Sequence, residues 1–316
     1  MTIAASREGA RALVAGHLVA FPTETVFGLG ADAGNPAAVE RIFSAKGRPS
    51  NHPLIVHVST ADRLDALTRD LPPFALTLAR AFWPGPMTLI AHRSAAVPDQ
   101  VTGGQDTVGV RVPNHPVALE LLAAAERLGV LGVAAPSANR FGRVSPTTAA
   151  AVRAELGDVL AASDVILDGE PSAVGIESTI IDCTGSAPAI LRPGAVTAAM
   201  IEQVTGMPVT APQTAIRVSG SLASHYAPRA AVVLDVDAQP GDGLIALADR
   251  PTPPGVVRLA APTTDEQYAH ELYGALRAAD ERGLTRVVAL LPQGQGIAEA
   301  IRDRLQRSAH PDRAHP

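Results

Sequence analysis

Apolar strands alternate with helices from residue 5 to Gly206, stop, and resume at Ala230. The interruption at 207–229 holds three prolines and small polar residues and shows no sustained periodicity. A break of that length between two alternating stretches points to two α/β units joined by a connector long enough to have a role of its own. The length of 316 residues suits two domains, and 47% hydrophobic against 18% charged residues suits a chain that buries real cores. The expected division is 1–206, a linker at 207–229 and a small α/β domain at 230–316.

In the first unit the spacing predicts a helix over 5–16, a strand over 17–21, and a helix opened by Asn35-Pro36 that ends at Lys46-Gly47. Strands follow at 54–58, 87–92, 107–112, 133–136, 164–167, 178–182 and 189–192. Helices are expected at 60–69, 72–83, 115–128, 146–156 and 197–205. In the second unit strands are expected at 230–236, 244–248, 256–259 and 285–291. Its helices are one opened by a capping box, Thr263 with Glu266, and one over 296–308. Residues 309–316 read as a frayed tail.

Lys46 is the one lysine among 26 basic residues. It stands two positions before Arg48 at a Gly/Pro-punctuated helix exit. An ammonium beside a guanidinium suits the oxygens of a polyphosphate, one as a point charge and the other as a fork. The plainer reading is a charge pair that favours a helix C-terminus. Gly28-x-Gly30-x-x-Ala33 follows a strand and precedes a helix, as a dinucleotide fingerprint does. The ribose-binding acid expected about 20 residues on is replaced by Asn51-His52, so a nicotinamide enzyme is disfavoured. No P-loop, nucleophile elbow or zincin motif occurs. Cys183 is alone, so disulfides and a cysteine zinc site are excluded, and no metal-binding residues are assigned. A net charge of −5 gives no global basic field for nucleic acid, and 3% aromatics argue against a stacking platform. No run of 18 apolar residues occurs and no signal peptide opens the chain. A soluble cytoplasmic protein with no membrane contact is expected.

Ser137-Ala-Asn139 follows an apolar strand, where ligands of α/β sheets bind. Arg111 shares one face of its strand with Thr107 and Gly109, and a lone arginine there needs an anion or solvent. Glu177-Ser178 and Leu191-Arg192 likewise set polar groups against apolar strands. Each alone reads as structural; together they suggest a sheet whose polar face holds something anionic.

Seven ordered motifs resemble the threonylcarbamoyl-AMP synthase family, whose catalytic unit is the YrdC-like domain. They are Phe-Pro-Thr-Glu-Thr-Val-Phe-Gly-Leu at 21–29, Lys-Gly-Arg-Pro at 46–49 with Pro-Leu-Ile-Val-His at 53–57, and Trp-Pro-Gly-Pro-Met-Thr at 83–88. Val-Gly-Val-Arg-Val-Pro at 108–113, Ala-Pro-Ser-Ala-Asn at 135–139, Glu-Ser-Thr-Ile at 177–180 and Leu-Arg-Pro-Gly at 191–194 complete them. The Ser-His-Tyr-Ala-Pro stretch ending at Pro228 resembles the linker of the family's longer, two-domain form. The resemblance implies a twisted, mixed, open-sheet α/β domain followed by a small Rossmann-like α/β domain. It implies that L-threonine, bicarbonate and ATP give threonylcarbamoyl-adenylate and pyrophosphate. The product feeds the threonylcarbamoyl modification of the adenosine beside the anticodon in tRNAs reading ANN codons. Magnesium is expected through the triphosphate.

Carried over by position, Arg48, His52, Thr107, Ser137, Asn139, Ser145, Arg192 and Tyr226 would contact ATP. Thr25, His57, Arg111, Ala135 and Ser178 would hold threonine. Lys46, added on charge grounds, would join Arg48 in neutralising the triphosphate. His52 departs from the asparagine or lysine common at its position. The downstream threonylcarbamoyl transferase machinery is the expected partner, with at most a weak tRNA contact. The linker is expected to fold over the cleft as a lid, with Tyr226 on the nucleotide. The alternatives are a double-stranded RNA-binding or regulatory paralogue without synthase activity, and carbamoyl transfer of the hydrogenase-maturation type. The latter would need acylphosphatase and zinc-finger modules that a single cysteine cannot supply.

Overall fold

The computed structural model describes residues 3–212, 216–220 and 225–310. The outer part of the expected tail, 311–316, lies outside them, as do 213–215 and 221–224 of the linker. The first unit is built on ten strands. They are β1 (Val19–Phe21), β2 (Gly28–Asp32), β3 (Ile55–His57), β4 (Thr68–Arg69), β5 (Met87–Arg93), β6 (Thr107–Arg111), β7 (Val133–Ala134), β8 (Val165–Ile166), β9 (Thr179–Asp182) and β10 (Ala189–Arg192). Their order is β10-β9-β5-β6-β3-β7-β2-β1-β8, with β4 on β5. The sheet is mixed: β3 runs parallel to β6 and β5 to β9, whereas β2 lies antiparallel to β1 and β7. Both faces are covered, which is why strands such as β2, β5 and β9 read as continuous apolar runs rather than alternating ones.

The helix Pro36–Lys46 shows how local sequence sets these elements. Asn35 Oδ1 accepts from the Ala38 amide, Pro36 fills the first position, and Gly47 ends the helix at φ 62°. That left-handed residue costs least as glycine. Val39, Ile42 and Phe43 face the main core with Leu29, Val56 and Val110.

One sequence expectation is corrected, and one disfavoured reading has no support. The helix over 60–69 is only a turn at Ala61–Arg63 and a single helical turn at Leu64–Leu67, after which β4 pairs with β5. The dinucleotide-like glycines do not form a turn: Gly28 and Gly30 lie within β2, the second arm of a hairpin with β1. A Cβ on Gly30 would stand 2.6 Å from a Val133 methyl, so close packing explains this glycine and no phosphate loop exists there.

The second unit has four parallel strands, β11 (Ala231–Leu234), β12 (Gly243–Ile245), β13 (Val257–Ala260) and β14 (Arg286–Ala289), in the order β11-β14-β12-β13. Helices Asp265–Glu281 and Ile297–Ala309 pack on it. The cap of the first is displaced by one residue from the expected box. Thr264 Oγ1 accepts from the Gln267 amide, while the Gln267 side chain takes Thr263 N–H at 2.8 Å. A glutamine serves in place of the anticipated Glu266. The core of this unit does not close on itself. Val26, Val144 and Ile176 of the first unit and Tyr226 of the linker share a cluster with Tyr268, Leu272, Tyr273 and Leu305.

Candidate active site

Strand register brings the site together. His57 on β3 pairs directly with Arg111 on β6, so the two side chains stand on one face. Ala135 N–H donates to Ile55 O, and Ser137 bridges Gly28, carrying the segment after β7 along the same edge. Across β5, Thr88 and Ser178 share a hydroxyl hydrogen bond of 2.8 Å. The result is a cleft partly open to solvent. Thr25, Arg48, His57, Arg111, Ala135, Ser137, Ser178, Arg192 and Tyr226 all line it.

Its cations are buried and distinct in their bonding. Arg111 pairs with Glu24 at 2.8 Å and touches Gly85 O at 3.4 Å. Arg48 donates to Pro53 O and to Ser219 Oγ, and lies 5.6 Å above the Phe141 ring. Burial, with Arg192 adding to it against the opposite pull of Tyr226, lowers its pKa to about 10, which leaves it charged at neutrality. Arg192 holds Ser178 O with Nε and Nη2, and Ser219 O with Nη1. Burial followed by the Arg111 charge pushes His57 down to about 3. His57 is therefore a neutral imidazole whose buried Nδ1 has no hydrogen-bond partner among the described residues. The Tyr226 hydroxyl is likewise buried and, among the described residues, unpartnered.

Five residues expected to touch ligand stand off this cleft. Lys46 is the main correction. It is fully buried behind the wall, and its Nζ donates to Ser137 O at 2.6 Å and to Asn139 O. Burial and then the Arg48 charge drive its pKa well down. The lysine that looked like a phosphate ligand pins the Ser137–Asn139 segment to the helix end. Asn139 continues that brace, donating to Arg140 O and Arg143 O. Ser145 donates to Glu177 Oε1 at 2.6 Å. His52 sits edge-on to Phe141, 5.3 Å between ring centres. Thr107 lines a smaller neighbouring pocket with Pro53, Ile90, Arg217 and Ser219.

Sequence reasoning did not assign every lining residue to the site: Glu177, Ser219, Gly220 and His225 are among those that also line the cleft. Glu177 stood inside one of the seven motifs, but nothing local marked it apart from Ser178. Burial alone would raise its pKa; Arg304 and Arg192, with the Ser145 hydroxyl, bring it instead to about 2. Ser219, Gly220 and His225 belong to the linker, which returns to the cleft at these residues and at Tyr226.

The whole chain has known counterparts. The family described as "Telomere recombination" matches residues 11–194, and the one described as "Threonylcarbamoyl-AMP synthase, C-terminal domain" matches 196–310. The threonylcarbamoyl-AMP synthase of Pyrococcus abyssi is 39% identical over 315 residues, covering 93% of this chain and 91% of the relative. This chain belongs to the threonylcarbamoyl-AMP synthase family. A putative threonylcarbamoyl-AMP synthase of Mycobacterium tuberculosis is 40% identical over 196 residues, which is 62% of this chain and 87% of the relative. The solved structure of Pyrococcus abyssi Sua5 complexed with L-threonine superposes with a TM-score of 0.86 at 36% identity, covering 98% of this chain and 95% of that one. The mixed sheet with an added C-terminal unit is thus the architecture shared with that structure.

Proposed function

We propose that this protein condenses L-threonine, bicarbonate and ATP into threonylcarbamoyl-adenylate, releasing pyrophosphate and water. The observation that carries the reading is the convergence of Arg48, Arg111 and Arg192, all buried, on one cleft. Three buried guanidiniums without matching carboxylates in the lining call for anionic ligands: Glu177 is tied to Arg304, and Glu24 covers one edge of Arg111. Threonine would lie on the β3–β6 side, its carboxylate on Arg111 and its polar groups near Thr25, His57, Ala135 and Ser178. The nucleotide would take the side of Arg48, Ser137, Arg192 and Tyr226. Its phosphates would compete with Ser219 for both arginines, so the linker has to shift as ATP enters.

The threonine amine adds to bicarbonate and loses water to give a carbamate. A carbamate oxygen attacks the α-phosphorus, and the bond to the pyrophosphate oxygen breaks. No protein nucleophile is needed; the chain contributes alignment and charge neutralisation. Among the described residues no group of three or more His, Cys, Asp or Glu is placed to hold a metal by itself. The ion would enter on the triphosphate, keeping its own waters. The 207–229 segment would act as a lid that keeps water from the mixed anhydride. The division 1–206, 207–229 and 230–316 follows from that role. Thr107 and His52 would reach the nucleotide only after the linker moves. The product would pass to a threonylcarbamoyl transferase acting on tRNA, with the cytoplasm as the compartment. Among the described residues no helix is long and apolar enough to cross a membrane.

The test is pyrophosphate release with threonine, bicarbonate and ATP, leaving out each in turn. Release that does not require threonine, or does not require bicarbonate, would contradict the reaction.

A further inference from the structure

The cleft's wall and its lid are separated in sequence but meet on one side chain of the second unit. Arg304, on the helix Ile297–Ala309, is completely buried. Its Nε donates to Glu177 Oε2 at 2.9 Å, and its Nη2 reaches Pro193 O at 3.0 Å. The same guanidinium lies 5.3 Å from the centre of the Tyr226 ring. Tyr273, on the helix Asp265–Glu281, supports both contacts. Its hydroxyl donates to Glu177 Oε2 at 2.8 Å, and its ring stacks on Tyr226 with centres 5.7 Å apart. Ser308 adds a hydrogen bond to Tyr226 O.

Tyr226 needs this support. Its φ is +61°, a region that a residue with a side chain keeps only where its surroundings impose it. Here the restraints on its ring and carbonyl come from the two C-terminal helices. Its buried hydroxyl points toward Gly220, where an added Cβ would stand 2.1 Å away. Glu177, in turn, is a buried carboxylate beside Arg192, and without Arg304 it would lose its nearest counter-charge. The threonine side is built differently. Thr25, His57 and Arg111 sit on first-unit segments, where His57 and Arg111 are paired across β3 and β6 and Arg111 is held by Glu24.

We propose that Arg304, assisted by Tyr273, is a positioning residue that fixes the nucleotide side of the cleft from the C-terminal domain, through Glu177 in the wall and Tyr226 in the lid. This rests on the substrate placement given above. The C-terminal domain thereby sets ATP affinity and lid closure and leaves threonine binding to the first unit.

The full-length chain and its Arg304→Met, Arg304→Lys and Tyr273→Phe variants test this. Calorimetry gives the dissociation constants of ATP and L-threonine, steady-state kinetics gives the ATP KM and kcat, and timed trypsin digestion reads cleavage after Arg217. Arg304→Met should weaken ATP at least about tenfold, keep threonine within about twofold and speed cleavage at Arg217. Arg304→Lys should recover part of the ATP affinity, because the charge near Glu177 and Tyr226 is retained. Equal weakening of both substrates would reduce Arg304 to a structural residue, and unchanged ATP binding and cleavage would remove it from the lid. If Arg304→Met does not fold, Tyr273→Phe decides: it removes one hydroxyl and keeps the stacked ring. Its ATP affinity should fall several-fold, and wild-type ATP binding and cleavage would overturn the proposal. A wild-type protein that releases no pyrophosphate would refute the reaction, while ATP binding and cleavage would still judge Arg304.

Discussion

Replacing Arg111 by alanine separates ligand binding from fold stability, because this guanidinium has one carboxylate partner within the protein, Glu24, and is proposed to have another in the ligand. It is 4% exposed and pairs with Glu24 at 2.8 Å. Removing it deprives the threonine carboxylate of its fork, a loss of roughly 2–5 kcal/mol for a buried charge pair. At about 1.4 kcal/mol per decade, that is a threonine affinity lowered by about 30-fold to several thousand-fold. The same change leaves Glu24 buried without its cation, which costs about 3–5 kcal/mol of stability. Glu24 keeps the Asn114 amide at 3.0 Å, so its desolvation is partly met and the domain should still fold. Glu24→Gln breaks the same ion pair while keeping Arg111. Both variants should melt at lower temperature, but only Arg111→Ala should lose threonine in a calorimetric titration, with ATP affinity changed little. Threonine binding within threefold of wild type in Arg111→Ala would refute the assignment. So would an equal loss in Glu24→Gln, which would make the pair rather than the fork the determinant.

Arg48→Ala should show the opposite selectivity: ATP binding or turnover falls at least about tenfold, threonine binding stays, and full wild-type activity would remove Arg48 from the site. Tyr226→Ala, and a chain ended after Gly206, should bind threonine yet fail to retain the adenylate. Retention equal to that of the full chain, read by trapping the product, would make 207–229 a mere connector. Stability should fall on mild acidification. His57 and His225 have pKa values of about 3 in the folded protein, both lowered chiefly by burial, against an ordinary value of 6.5. Between those values the unfolded chain binds protons that the folded one refuses, so each histidine costs about 1.4 kcal/mol per pH unit as pH falls. Denaturant midpoints at pH 7, 6 and 5 should drop in step, and less so in His225→Gln; a flat profile would contradict the burial of both rings. Glu177, with its pKa at about 2, adds its own loss only as pH falls from the ordinary carboxylate range toward that value.

Much of this fold was legible because its signals are local. Asn35-Pro36 and Gly47 bracket a helix that the structure reproduces at Pro36–Lys46, since a cap, a fixed φ and a left-handed exit all act within one turn. The pairing of β4 with β5 was not legible. Thr68 and Arg69 follow a helical turn, and only the neighbouring Arg93 and His92 draw them into the sheet. The role of Gly28 and Gly30 was not legible for a related reason. Glycine signals close approach as well as turning, and the Val133 methyl that approaches Gly30 lies about a hundred residues away in sequence.

The same distinction governs the site. Arg111, Ser137, Ser178 and Arg192 could be picked out because each is a polar residue at the end or on the face of an apolar strand; Thr25 and His57 came from the family resemblance, and Arg48 from its pairing with Lys46 at a helix exit. Lys46 shared the signature of Arg48, yet the carbonyls of Ser137 and Asn139, more than ninety residues on, capture its ammonium. A sequence shows that a charge needs a partner but not whether the partner is a ligand or a carbonyl of the same chain. Glu177 shows the converse. Its partner Arg304 follows 127 residues later in an ordinary amphipathic helix, where Arg302 and Arg307 give it no distinction. What singles out Arg304 is complete burial, and burial of a cation at that distance is a property of the docked domains rather than of any local pattern. The dependence of the cleft on the C-terminal domain therefore rests on a contact that no spacing rule could reveal, and it is the ATP-to-threonine ratio of the Arg304 variants that measures it.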